Sequence, residues 1–110
     1  MKHLQSAILL SLTGRHRRSR IGAVGLRADG VVVTGKSGGA KDQWLPRTHA
    51  EARLSQKLTP GSIVFVARTL MNGTVALAKP CVSCENCLRH KGVHKVYYTI
   101  GPNEFGVLKL

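Results

Sequence analysis

Acid is what this sequence most lacks. Asp and Glu number 5 in 110 residues against 17 Lys and Arg, giving a formal net charge of +12. The first carboxylate is Asp29, and Arg15, Arg17, Arg18 and Arg20 all precede it. So large an imbalance on so short a chain predicts a polyanionic partner. The plainer readings are solubility or a phosphate-bearing small substrate. Long apolar runs are missing too. None approaches the ~18 residues that a membrane helix requires, so no membrane partner is expected. Cysteine is scarce: there are 3, all between Cys81 and Cys87, and an odd, clustered set argues against a disulfide scaffold. It points instead to a reducing compartment and a metal. Repeats, linkers and low-complexity tails are also absent. With 43% hydrophobic residues the chain is not disordered, and 110 residues suffice for one domain over 1–110 with a modest core. An acid-poor, Arg-rich start also fits a mitochondrial transit peptide. The start is read here as a native first helix, and the expected location is intracellular and cytoplasmic.

What is present is a regular alternation of elements. Leu4, Ala7, Ile8 and Ser11 recur at helical spacing over residues 2–12, with Leu9, Leu10 and Leu12 widening the apolar face. Thr13-Gly14 ends that helix, and Arg15 to Arg20 form a basic loop that suits phosphate binding or simple solvation. Ile21 to Arg27 and Val31 to Thr34 read as strands joined by a two-residue Asp29-Gly30 turn. Gly35 to Lys41 is a basic loop leading to Trp44. This single tryptophan is either a core residue or a platform on which a base stacks. A second helix is expected over about 48–58, with Ala50, Leu54 and Leu58 on one face, stopped by Thr59-Pro60-Gly61. Ile63 to Ala67 is an apolar, central strand. Residues 70–79 form a long connection turning at Asn72-Gly73. A third helix runs from Cys81 to about Lys91, closed by Gly92. His94 to Ile100 and Phe105 to Leu110 make a final hairpin. A helix between two buried strands implies a parallel crossover.

The chemistry concentrates in Thr48-His49-Ala50-Glu51 and Pro80-Cys81-Val82-Ser83-Cys84. A catalytic zinc takes three protein ligands and keeps a fourth position open. His49, Cys81 and Cys84 supply three. Cys81 and Cys84 share one helical face, and Pro80 suits the first turn of a helix. Positive charge at that helix start favours thiolates. Glu51, two residues after His49, is placed to move a proton rather than to bind metal. C-x-x-C alone is equally compatible with redox or structural roles. A local rival is a closed site built from Cys81, Cys84, Cys87 and His90, with His94 following. On a helix, however, four ligands at that spacing drift around the axis.

The pattern H-x-E, a gap, then P-C-x-x-C resembles the cytidine deaminase-like superfamily of zinc-dependent deaminases acting on cytosine or adenine. The resemblance implies an α/β, three-layer fold: a five-stranded mixed sheet with helices on both faces and a C-terminal β-hairpin. It further implies Zn²⁺ on His49, Cys81 and Cys84, proton transfer by Glu51, and contact between the Ala50 backbone and the departing amino group. Ser37 stands where one branch carries a sugar-binding asparagine. The final hairpin is similar to the small nucleoside deaminases, whereas the basic charge suits nucleic acid.

The expectation is therefore a hydrolytic deaminase converting cytosine to uracil, with single-stranded DNA or RNA as favoured substrate. Arg17 and Arg18 would then contact phosphate, and Trp44 a base. Free cytidine or dCMP is one alternative, and a non-catalytic, zinc-stabilised nucleic-acid-binding module another. Assembly into a homo-oligomer is expected.

Overall fold

The computed structural model describes residues 2–12, 19–36, 54, 57–70, 72–80 and 82–110. Helix α1 spans Lys2–Leu12, β1 Ser19–Leu26, β2 Val32–Lys36, β3 Ile63–Leu70, β4 Val75–Ala76, α2 Val82–His90, β5 Lys95–Gly101 and β6 Glu104–Lys109. Six strands form one mixed sheet in the order β2-β1-β3-β5-β6, with β4 also paired to β3. The expected sheet had five strands. The sixth, β4, comprises only Val75 and Ala76, too short to show a period.

Alternation along β1 and β3 sorts the core into two layers. Ala23, Val64 and Val66 join Leu54, Leu58, Leu88 and Val96 on one face. Val24, Phe65 and Ala67 join Leu4 and Ala7 of α1 on the other. The helix lies close to β1 because Gly22 has no side chain: a Cβ there would collide with the Ala7 carbonyl and the Ser11 amide. Leu4, Ala7 and Ser11 are buried as the spacing predicts. Leu9 and Leu12 are not part of the apolar face; they are 66% and 40% exposed, because the sheet meets only one side of α1.

The β1–β2 turn is wider than the dipeptide signal indicates. Arg27 N donates to Val31 O at 2.9 Å and Gly30 N to Arg27 O at 2.9 Å, so the loop is Ala28-Asp29-Gly30 rather than two residues. Gly30 at φ 88° supplies the left-handed residue of a type I turn with a G1 bulge. The Asp29 carboxylate accepts from Val31 N at 3.1 Å. The β3–β4 turn repeats this: Leu70 N to Thr74 O, Gly73 N to Leu70 O, and the Asn72 side chain accepting from Thr74 N at 3.0 Å. Strand β2 also runs further than expected, because Gly35 and Lys36 still pair with Ala23 and Gly22.

β1 is antiparallel to both β2 and β3, β3 and β5 are parallel, and β5 and β6 are antiparallel. The crossover from β3 to β5 is α2, and its C-terminus is a Schellman motif. Val93 N donates to Leu88 O at 3.2 Å and Gly92 N to Arg89 O at 3.0 Å, with Gly92 at φ 76°. Val93 and Leu88 are both buried in the same cluster.

Candidate active site

Register fixes which ends of the elements meet. Lys36 pairs with Gly22, and Ser19 with Leu70. The start of β1, the end of β2 and the end of β3 therefore share one end of the sheet, as does the end of parallel β5. Helix α2 runs the opposite way to β3. Its C-terminal side is tied to the beginning of β3 by Gly61 N to Gly92 O at 2.9 Å and His94 N to Ser62 O at 2.8 Å. Its N-terminus, following buried Pro80, therefore lies towards the shared end.

Cys84 is the proposed ligand that the structure describes. It sits in the first turn of α2 and is 2% exposed, while Cys87, on the same helix, is only half-buried. Early helical position sets a thiol in the positive end of the helix dipole, which favours the thiolate that a soft metal binds. His49, Glu51 and Cys81 lie outside the described residues. So do Ser37, Trp44, Ala50, Arg17 and Arg18. Of the described residues, Ser19 and Lys36 lie at the shared sheet end, and Pro80 and Val82 lie towards it.

Among the described residues no group of three or more His, Cys, Asp or Glu side chains gathers as a metal site. Cys84, Cys87 and His90 thus do not gather at one point, as a closed site of Cys81, Cys84, Cys87 and His90 requires. Helical spacing is the reason: Cys84 turns to the sheet while His90 is exposed. One cation of the basic stretch also has a structural task. Arg20 Nη1 donates to the Leu12 carbonyl at 3.2 Å, setting a positive charge at the C-terminus of α1.

No protein-family model matches this chain, and no curated protein matches it. Solved structures do. The chain superposes on a cytidine deaminase from Burkholderia pseudomallei with TM-score 0.73 and 18% identity, covering 98% of this chain and 90% of that one. A cytidine deaminase from Mycobacterium leprae gives 0.62 at 18% identity, covering 96% and 90%. One from Mycobacterium tuberculosis gives 0.58 at 25% identity, covering 88% and 80%. The chain has the cytidine deaminase-like fold. The mixed sheet, the parallel β3–β5 crossover through α2 and the C-terminal hairpin agree with the expectation, and the short β4 is an addition to its five strands; the expected helix over about 48–58 lies largely outside the described residues. In this cytidine deaminase-like fold the P-C-x-x-C segment falls at the start of α2, with one of its thiols buried beneath the helix.

Arg68 of β3 also lies near this end of the sheet. It continues β3 beyond the apolar run Ile63 to Ala67, and the strand ends at Leu70. The available signal was a single cation extending the alternation of a buried strand.

Proposed function

We propose that the protein is a zinc-dependent hydrolytic deaminase that converts cytosine to uracil in a pyrimidine nucleoside or nucleotide. The observation that carries this reading is a buried Cys84 in the opening turn of α2, directly after P-C, in a chain with the cytidine deaminase-like fold. The donor set suits zinc: two soft thiolates, Cys81 and Cys84, and one imidazole, His49, leaving the fourth position for solvent. When bound, zinc supplies Lewis acidity and a nucleophile at neutral pH. Glu51 accepts a proton from the attacking water and delivers it to the ring nitrogen beside the amino group; it then takes the proton of the new C4 hydroxyl and passes it to the amino group, which leaves as ammonia as the C4–N bond breaks and the carbonyl forms. The Ala50 backbone contacts that amino group, and Ser37 contacts the sugar.

The test is ammonia release from cytidine, deoxycytidine and dCMP by zinc-loaded protein. Turnover of at least one supports the reading; none, with zinc bound, removes it.

Single-stranded nucleic acid is the second reading, favoured by the +12 charge. On that reading Arg17 and Arg18 contact successive phosphates, and Trp44 stacks a base, worth ~1–3 kcal/mol. Cytosine in a single strand also needs no flipping out of a duplex.

A further inference from the structure

Helix α1 rests on β1 and β3 and leaves the β5–β6 hairpin on the same face of the sheet largely open. Tyr97 of β5 packs against the α1 layer. Register carries that face onto β6: Val107 lies opposite Tyr97, Phe105 opposite Thr99, and Lys109 opposite Lys95. The aromatic rings form a row across the sheet. Phe65 stacks on Tyr97 with centroids 5.2 Å apart, and Tyr97 meets Phe105 at 6.2 Å. The row begins buried, with Phe65 5% exposed, and ends open, with Phe105 48% and Val107 44% exposed.

Cations stand at one end of this open face. Lys95 Nζ lies over the Tyr97 ring, 5.3 Å from its centroid. Lys109 is the direct cross-strand partner of Lys95. Like charges directly opposite each other destabilise a strand pair, and an anion shared between them reverses the sign. At the other end a cavity of about 200 Å³ opens beside Phe105, against Leu4 and Ile8 of α1. Gln5, Asn103 and Glu104 also line it. A cavity of ~150 Å³ holds one benzene ring, so this one holds a pyrimidine-sized ring. Its side-chain amides and carboxylate suit the amino and carbonyl edges of a nucleobase. Lys95 and Thr99 are four residues apart, which separates the cations from the cavity by about 13 Å. A stacked strand advances ~3.4 Å per nucleotide, so the face spans about four nucleotides.

We infer that the open face of the β5–β6 hairpin binds single-stranded nucleic acid. Phosphates meet Lys95 and Lys109, a base stacks on Phe105 beside Val107, and a neighbouring base enters the cavity. The formal charge of +12 draws a polyanion to the chain, and the exposed ring selects a strand whose base faces are free. An anionic lipid surface would meet the same lysines, but its acyl chains offer nothing to the polar groups of the cavity. This face lies on the opposite side of the sheet from Leu88 of α2, so it is distinct from the candidate active site. The inference does not rest on the deaminase reading.

The experiment is fluorescence anisotropy of a labelled oligothymidylate of twelve nucleotides, and of the matching duplex, titrated with the full chain. Phe105→Ala should weaken single-strand binding about five- to hundredfold, the range of one base–aromatic stack, and change duplex binding less than twofold. Phe105→Leu, which keeps the apolar contact and loses the ring, should show the same selective loss in smaller degree, and scores the inference if Phe105→Ala does not fold. Lys109→Glu places opposite charges across the strand pair, so the fold is retained; it should weaken binding and flatten the log–log salt slope by about 0.7 or more. Leu9→Ala, on the exposed side of α1, should leave both affinities unchanged. No single-strand binding by wild type overturns the inference without any variant. Unchanged affinity in Phe105→Ala and Phe105→Leu, or an equal loss for strand and duplex, overturns it too. A lower mass by light scattering in Phe105→Ala with affinity unchanged gives the face to a second copy of the chain. Lost binding to phosphatidylserine vesicles with oligonucleotide affinity unchanged gives it to a membrane. Either result overturns the inference. The oligonucleotide contains no cytosine, so ammonia release from the nucleosides and nucleotides above scores the deaminase reading separately.

Discussion

Single atoms decide how closely the layers of this molecule approach. At Gly22 a methyl group would meet backbone, the Ala7 carbonyl and the Ser11 amide, neither of which can move without displacing α1. At Gly106 it would meet only the ring end of Tyr98, which can swing aside. Gly22→Ala should therefore cost about 1–3 kcal/mol, and Gly106→Ala distinctly less. For a domain of this size about 1 kcal/mol is ~4–8 °C in melting temperature, so thermal unfolding separates the two. Equal shifts would show that α1 does not rest on Gly22. A second residue-scale prediction concerns the thiols. Cys84→Ala should abolish stoichiometric zinc, whereas Cys87→Ala, at a half-buried position, should retain it; metal analysis of the purified variants is the check. Zinc lost in Cys87→Ala would revive the closed structural site.

At the scale of elements, Thr99 determines how β4 is inserted. Its hydroxyl donates to Ala76 O at 2.8 Å and accepts from Arg68 N at 3.3 Å, and its carbonyl accepts from Ala78 N at 2.8 Å. It is 1% exposed, so no water replaces those bonds. Thr99→Val keeps the shape and removes the hydroxyl's two hydrogen bonds to the Arg68 and Ala76 backbone, which should cost about 1–3 kcal/mol in urea unfolding. A variant as stable as wild type would mean that β4 is held by its strand pairing alone. This element also marks where sequence patterns stop being informative. Helix α1, strand β3, helix α2 and the final hairpin were legible because each carries several turns or alternations of apolar residues. The closing Gly92 was legible because only a left-handed residue completes a Schellman motif there. Two residues of β4 carry no period, and its pairing depends on a threonine 23 positions away. The Asp29-Gly30 dipeptide signals a turn but does not distinguish a two-residue loop from a three-residue loop ending in glycine. Arg68 was illegible for another reason: the charge breaks the apolar pattern, and only register reveals which face it joins.

Of the candidate site, the ligand types and their spacing are carried by local sequence, and Cys84 is the one proposed ligand among the described residues, where it is buried. Residues 13–18 and 37–53 bring Arg17, Arg18, Ser37, Trp44, His49, Ala50 and Glu51, and all of these lie outside the described residues.

At the scale of the whole molecule, charge and size dominate. A chain of 11.9 kDa with 17 cations against 5 acids attracts polyanions, and the attraction is screened by salt. If a single strand is the substrate, log affinity should fall linearly with log salt, with a slope near −0.7 for each phosphate contacted. Replacing Arg17 and Arg18 by Ala should flatten it by about one to two such units, with zinc content unchanged. A flat salt response, together with turnover of cytidine or dCMP, would assign the enzyme to free nucleosides and nucleotides. A chain this short buries only about 60–65% of its unfolded surface. A homo-oligomer is the expected state, and light scattering at micromolar concentration should give a mass at least twice 11.9 kDa. A mass of one chain would contradict this.

The central claim is that this fold, with these ligands, removes an amino group from cytosine. The most direct measurement is uracil and ammonia formation from deoxycytidine, dCMP and a cytosine-containing oligonucleotide, by wild type and by Glu51→Gln, with zinc measured in both. The account predicts turnover of at least one of the three by wild type. It predicts near-complete loss in Glu51→Gln with about one zinc per chain retained in each, since the glutamate moves protons and does not hold the metal. Zinc-loaded wild type that forms no uracil from any of the three, or Glu51→Gln that forms it as fast as wild type, would contradict it.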